Sequence, residues 1–125
     1  MSEGKSMLKS KSFAFAVRCI NLYKYLVESK KEFVLSKQIL RSDTSIGANI
    51  RGAQNAQSKA DFIHKLSISQ KECDETIYWL ELLVEIDFIS KEEFHSINNE
   101  ALELLKMLRR AIITAKKNNS KTHNS

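Results

Sequence analysis

Two acid–histidine pairs in the sequence have the spacing of metal ligands. Asp61 lies three residues before His64, and Glu92 lies three residues before His95. This spacing places a carboxylate and an imidazole on one helix face, and bundles that bind two metal ions combine two such motifs with further carboxylates. The two pairs begin successive antiparallel helices and therefore lie at opposite ends of the bundle, roughly 30 Å apart at about 1.5 Å per residue. We predict surface histidines and no metal site.

Nucleophilic or redox chemistry would depend on Cys19 and Cys73. Both lie in stretches of apolar helical periodicity and they form no Cys-x-x-Cys pair, so we predict reduced core residues and a reducing compartment. The sequence has no phosphate-binding glycine loop, no dinucleotide-binding glycine motif and no His-Glu-x-x-His zinc motif. We therefore predict no catalytic residue, no cofactor and no enzymatic activity.

The composition favours long helices with short connections. The 125 residues include no proline and three glycines, against roughly six and nine at average usage, so turn-rich sandwiches and barrels are disfavoured. A hydrophobic content of 42% is sufficient for one packed core. The apolar run at residues 13–17 is too short for a signal-peptide core or a membrane span. We expect a cytoplasmic protein that does not bind a membrane.

Apolar periodicity predicts four helices, at about residues 8–29, 36–56, 59–86 and 91–116. Two of the helix starts have capping signals, because Ser58 is followed by Asp61 and Ser90 by Glu93. Short links make neighbouring helices antiparallel. The sequence therefore predicts an all-α, up-down-up-down antiparallel four-helix bundle.

The domain boundaries follow from the same periodicity. A single four-helix-bundle domain is predicted over residues 1–117, and the tail at residues 118–125, which has no apolar periodicity, is predicted to be disordered.

The third predicted helix has a second apolar line beside the one expected to face the core. The residues of this line and its neighbourhood are Phe62, Tyr78, Trp79, Leu83 and Ile86. Such a wide apolar arc exceeds what one bundle core buries, so we predict that these residues form the interface of a homo-oligomer. The alternative is a third helix that is deeply buried among its own three neighbours.

Charge is distributed unevenly along the chain, although the net charge is +5. Residues 1–71 carry 13 basic and 5 acidic side chains, residues 72–103 carry 1 and 10, and residues 104–125 carry 6 and none. Antiparallel folding brings the basic helix ends together in a surface that we call the basic pole. Its candidate phosphate-binding residues are Arg51, Lys59, Lys65, Arg109, Arg110, Lys116 and Lys117.

A surface of one charge sign attracts polyanions, of which phosphate backbones are the commonest. We therefore predict binding of structured nucleic acid, RNA or DNA/RNA, through backbone contacts. Aromatic residues are nearly absent from the predicted basic pole, so base-specific recognition is not expected. The alternative is that these lysines and arginines only solvate helix surfaces.

The central part of the chain has a distinctive residue pattern. It includes residues 44–50 (TSIGANI), 61–63 (DFI) and 78–80 (YWL). With these motifs the chain resembles the bacterial four-helix-bundle proteins encoded in intervening sequences of 23S ribosomal RNA genes, over most of its length. This resemblance implies an up-down bundle that assembles as a homopentamer. A related group, the accessory variability determinants of diversity-generating retroelements, comprises basic pentamers that bind nucleic acid and a reverse transcriptase.

The chain departs from the pattern of the family that it resembles at three positions, which are Gly52 and, where small alanines are usual, Ser69 and Cys73. Gly52 stands where relatives commonly carry a glutamate. The missing carboxylate makes the basic pole more positive, and it places in doubt any role that the glutamate has in relatives.

These observations predict a non-enzymatic homo-oligomer, expected from the resemblance to be a pentamer, that binds structured nucleic acid. An alternative function is a scaffold that recruits a protein partner without binding nucleic acid. Such a partner would bind the exposed face of the third helix or the acidic pole at the opposite end of the bundle. We define the acidic pole as Glu81, Glu85, Asp87, Glu92 and Glu93.

Overall fold

The computed structural model describes the backbone of residues 3–124 and the side chains of residues 4, 5 and 7–118. Its helices are α1 (Glu3–Glu28), α2 (Leu35–Gln54), α3 (Lys59–Glu85) and α4 (Lys91–Asn124), and the described backbone contains no strand. Each helix packs on the next in chain order, and α4 closes the arrangement against α1 through the smallest of the four contacts. The predicted all-α four-helix bundle is confirmed.

The helix bounds agree with the sequence prediction at α2 and α3 and differ at the outer helices. α1 begins at Glu3 rather than near residue 8, and α4 continues to Asn124 rather than ending near residue 116. No proline interrupts either extension, so helix propensity alone does not stop them. Side chains from residue 119 onward lie outside the described part of the chain, and the disorder expected for residues 118–125 stays a prediction.

None of the helices in the described part of the chain combines the length and the apolar character that a bilayer span requires.

The two capping signals read from the sequence are present as hydrogen bonds. The backbone N–H of Asp61 donates to Oγ of Ser58 at 3.0 Å, and the backbone N–H of Glu93 donates to Oγ of Ser90 at 3.1 Å. Each serine thereby satisfies one of the N–H groups that an α-helix leaves without an internal partner. These caps fix where α3 and α4 begin.

The start of α2 is capped by a residue that the sequence did not indicate. The carboxylate of Glu32 accepts hydrogen bonds from the backbone N–H groups of Val34, Leu35 and Ser36, at 2.8, 2.6 and 2.9 Å. In return, Oγ of Ser36 donates to the carbonyl of Glu32 at 2.8 Å. Glu32 is buried by these contacts and supplies negative charge at the positive end of the helix dipole.

The end of α3 is a Schellman turn whose left-handed residue is not glycine. The backbone N–H of Phe88 donates to the carbonyl of Leu83 at 2.9 Å, and that of Asp87 donates to the carbonyl of Val84 at 3.2 Å. Asp87 has a φ of 62° at the position where glycine is usual. The turn reverses the chain into α4 at the cost of a strained aspartate.

The core is a continuous layer of branched aliphatic side chains from all four helices, including Leu26, Ile46, Leu80 and Leu104. It also contains hydroxyl groups between α2 and α3. Oγ1 of Thr76 lies 2.7 Å from Oγ of Ser42 and 2.9 Å from the carbonyl of Glu72. Both cysteines are buried and unbridged, as expected from their periodicity.

Candidate nucleic-acid interface

The helix ends that carry the predicted basic residues meet around a cleft of about 980 Å³. Its walls are formed by the start of α1, the end of α2, the start of α3 and the part of α4 between Glu103 and Asn118. Representative lining residues are Leu8, Ala53, Phe62 and Met107. The antiparallel order of the helices therefore brings these four ends together around one opening.

Five of the seven predicted residues have exposed side chains that form no ion pair with any described acidic residue. They are Arg51, Lys59, Arg110, Lys116 and Lys117. Lys59 and Arg110 line the cleft, from α3 and α4. The guanidinium carbon of Arg51 lies 5.8 Å from the ring centroid of Phe13 on α1. This stacking leaves the guanidinium N–H groups available to an anion.

The other two predicted residues are partly neutralised. Nζ of Lys65 lies 3.4 Å from Oδ1 of Asp61, one turn earlier on α3. Nη2 of Arg109 on α4 lies 4.0 Å from Oδ1 of Asp74 on α3. Arg109 does not line the cleft. Both residues have a weaker claim to a phosphate contact than the five unpaired ones, because an incoming phosphate would compete with a carboxylate.

The absence of a side chain at Gly52 makes room for Lys65. A Cβ atom at Gly52 would lie 3.0 Å from Cδ of Lys65, closer than an ordinary van der Waals contact. Gly52 therefore lets the Lys65 stem lie against the end of α2.

Among the described residues near the cleft, acidic side chains are scarce and already paired. Of the acidic residues close to it, Asp61 pairs with Lys65 and Glu103 pairs with Lys11. Arginines elsewhere in the bundle are neutralised twice over. The guanidinium nitrogens of Arg18 lie 3.2 Å from a carboxylate oxygen of Glu100 and 4.0 Å from one of Glu93. Those of Arg41 lie 3.0 Å from a carboxylate oxygen of Glu72 and 3.2 Å from one of Glu75. Positive charge is therefore left in excess at the basic pole.

Two further cations belong to the cleft and were absent from the predicted binding residues. Lys106 lines it one turn before Arg110 on α4, and this four-residue spacing in the sequence is the signal that could have identified it. Lys5 lines it from α1, with its Nζ atom 4.8 Å from the ring centroid of Phe62. Only the structure, in which α1 and α3 face each other across the cleft, reveals that contact.

The predicted oligomer interface is divided by the structure. Tyr78 and Ile86 are 53% and 50% exposed, as a subunit contact requires, and Trp79 is half-buried. The prediction was wrong for Leu83, which is 0% exposed because it points into the core of its own bundle. Phe62 is half-buried at the wall of the cleft and so lies at the basic pole rather than with Ile86 at the other end of α3.

A second exposed apolar surface lies on α1, which the sequence analysis did not single out. Phe13 is 59% exposed and Val17 is 44% exposed, and they follow one another by one helical turn. The core side of the same helix is formed by Phe15, Cys19 and Leu22. α1 is thus apolar on opposite sides, one of which is covered by no helix in the described part of the chain.

Among the described residues no group of three potential ligands is positioned to hold a metal ion, and His64 and His95 are both exposed. Burial raises the pKa of Cys73 to about 12 and raises the pKa of Cys19 still further, with the nearby Asp43 adding to the rise at Cys19. A thiol with a raised pKa is a poor nucleophile at neutral pH. The two cysteines therefore pack in the core, and the two histidines lie in solvent.

Comparison with known proteins identifies close structural relatives. The family model described as 23S rRNA-intervening sequence protein matches residues 5–110. A crystal structure of a protein with unknown function from the S23 ribosomal protein family, from Bacteroides thetaiotaomicron, is 58% identical in sequence with a TM-score of 0.86. The match covers 87% of this chain and 97% of that one. No curated protein matches the sequence.

Proposed function

The chain belongs to the 23S rRNA-intervening sequence protein family, and from this premise we propose that it is a non-enzymatic, oligomeric four-helix bundle that binds structured nucleic acid through its basic pole. The observation that carries the proposal is the set of exposed cations around the cleft that have no acidic partner among the described residues. Lys59 and Arg110 lie at the opening itself.

The unpaired state of these cations matters because binding to nucleic acid is driven by release of counterions from phosphates. A lysine that already contacts a carboxylate must lose that contact first. Lys59 and Arg110 form no such contact with a described acidic residue, and their charges act in the same direction on one surface. This arrangement favours backbone contacts, which position a nucleic acid without selecting its sequence.

Oligomerisation would multiply the effect by placing several basic poles side by side. Two exposed apolar surfaces support it, one at Phe13 and Val17 on α1 and one at Tyr78 on α3 and Ile86 at its C-cap. Because the two surfaces are different, contact between them is heterologous, and a heterologous contact that closes on itself produces a ring. A homopentamer is the ring that the family resemblance implies.

A second candidate function is a scaffold for a protein partner. It is favoured by exposed apolar side chains near the acidic pole, where Phe33 and Val34 are 50% and 73% exposed beside the start of α2. Comparing co-purified proteins before and after nuclease treatment distinguishes the two functions. Partners lost on nuclease treatment favour the nucleic-acid function, and partners retained favour the scaffold.

The proposed function is tested by fluorescence anisotropy with a labelled RNA hairpin at several salt concentrations. We expect the double variant Lys59→Gln/Arg110→Gln to bind more weakly and to lower the slope of log K against log salt by about two. The control Lys24→Gln/Lys37→Gln removes the same charge from exposed positions at the other end of α1 and α2. Equal loss in both variants, or no binding by the wild-type protein at low salt, would refute the proposal.

A further inference from the structure

The cleft at the basic pole has an apolar floor as well as a basic opening. Leu8, Ile50 and Leu66 form the floor and are almost wholly buried, while Phe62 and Met107 are half-buried on the walls. A volume of about 980 Å³ is at the upper end of the range of small-molecule sites. The phosphate backbone of a duplex has no apolar group that would enter this space.

The opening is lined by cations on two sides. Lys106 and Arg110 are one turn apart on α4, which separates such side chains by about 6 Å at their bases. Lys59 approaches from α3. All three are exposed, and none forms an ion pair with a described acidic residue. Three cations on two sides of one opening fit successive phosphates of a strand better than the single head group of a small amphiphile.

A nucleotide that is not base-paired presents both parts of the chemistry that this cleft offers. Its flanking phosphates are anionic, and its base has an apolar face that stacks on aromatic and aliphatic side chains. Phe62 provides an aromatic ring at the wall, and the ammonium group of Lys5 lies over the face of this ring, so a stacking base takes the place of that cation. Phe62 is thus an aromatic side chain at a pole from which the sequence analysis expected aromatic residues to be nearly absent.

We propose that the cleft receives the base of an unpaired nucleotide while Lys59, Lys106 and Arg110 bind the phosphates on either side of it. The proposal rests on the proposed function and narrows it, because the preferred ligand is then an RNA with a bulge or loop rather than a continuous duplex. Extruding a bulged base costs little, since that base has no pairing partner to lose.

The test uses the full-length protein and three labelled RNA duplexes of otherwise identical sequence. The first is continuous, the second has a one-nucleotide bulge, and the third has an abasic bulge that keeps the backbone kink without the base. We expect the bulged duplex to bind about 10-fold more tightly than the other two, the effect of stacking one base. Equal affinity for the three duplexes would overturn the inference and leave the proposed function standing, whereas failure of all three to bind refutes both.

Filling the cleft separates the base contact from the phosphate contacts. Thr114 is exposed on α4 and lines the cleft. We expect Thr114→Trp to abolish the 10-fold preference for the bulge, because the indole blocks the space for the base. Binding of the continuous duplex should stay within about twofold of wild type, because the phosphate contacts are retained. Asn99→Trp, at an exposed position of α4 outside the cleft, is the matched control and should retain the preference.

Two outcomes of the variant experiment count against the inference. They are a preference that survives Thr114→Trp and a loss of affinity that is equal for all three duplexes. Phe62→Leu provides a second variant in which the cleft is not blocked, and it should reduce the preference for the bulge without changing continuous-duplex binding. Circular dichroism of each variant establishes that the bundle is folded before affinities are compared.

Discussion

The carboxyl group of Asp43 on α2 faces the thiol of Cys19 on α1 in the centre of the bundle. Asp43 is 1% exposed, and neither of its carboxyl oxygens accepts a well-formed hydrogen bond within the described residues. Burial raises the pKa of Asp43 to about 7, and the nearby Cys19 thiol and Thr44 backbone N–H offset only part of the rise. A group that titrates at neutral pH therefore lies in the core.

This placement makes stability depend on pH in a defined direction. The folded protein holds the Asp43 proton up to a pKa of about 7, while the unfolded chain releases it near 3.8. Between these values the folded state binds more protons, so the free energy of unfolding falls as pH rises and is constant above about pH 7 in this respect. The stabilisation that comes from proton binding by Asp43 is fully present below about pH 4.

We expect Asp43→Asn, which cannot ionise, to remove this dependence. The variant should match wild type near pH 4 and exceed it in stability above pH 7 by about 4 kcal/mol, from 1.36 kcal/mol per pKa unit. Urea denaturation of both proteins from pH 4 to pH 8 measures the difference in their free energies of unfolding. The other carboxylates are the same in both proteins, so their contributions cancel in this difference. A difference that does not change with pH would contradict the burial argument.

Removing the carboxylate of Glu32 should loosen the start of α2. Glu32→Ala leaves the backbone N–H groups of Val34, Leu35 and Ser36 without their acceptor, which we expect to cost about 1–2 kcal/mol. Glu28→Ala, at an exposed position one turn earlier, removes the same charge without touching the cap. Chemical denaturation compares the two variants, and equal effects would show that charge alone is responsible.

Replacing Asp87 with glycine should stabilise the protein. A non-glycine residue at a φ of 62° pays about 1 kcal/mol that glycine does not, so we expect Asp87→Gly to raise the free energy of unfolding by about that amount. Glu81→Gly, at an exposed position inside α3, should lower it by a similar amount because glycine weakens a helix interior. The prediction fails if, in thermal denaturation, both substitutions change the free energy of unfolding in the same direction.

The heterologous contact proposed between α1 and α3 predicts an unusual mixing behaviour. Phe13→Asp and Ile86→Asp each damage one of the two apolar surfaces, so each variant alone should be a monomer. Each keeps the surface that the other has lost, and an equimolar mixture should therefore form a heterodimer. Sedimentation velocity measures the three samples. If the mixture stays monomeric, the contact between subunits joins like surfaces instead.

The sequence was most informative where the determinant is local. Ser58 and Ser90 could be identified as caps because the serine and its helix are adjacent in the chain. Glu32 could not, because its three hydrogen bonds require a turn that holds it under the end of α2. The basic character of the pole followed from antiparallel order alone.

Rotation of each helix about its axis was the part that sequence periodicity could not determine. Leu83 and Ile86 lie on one apolar line in the sequence of α3, yet one is wholly buried and the other half exposed. The reason is that an arc wider than the core leaves open which edge of it faces inward. The cleft at the basic pole depends on the same information from all four helices at once.

The hydroxyl groups of Ser42 and Thr76 have a consequence for how α2 and α3 are aligned along their length. At 2.7 Å from each other and both 0% exposed, they hydrogen-bond to one another only at a single longitudinal offset. Sliding one helix by a turn would break this bond and leave each hydroxyl only with a carbonyl of its own helix. Evolution is therefore expected to change the two positions jointly, to a second matched polar pair or to two methyl-bearing residues, more readily than to change either one by itself.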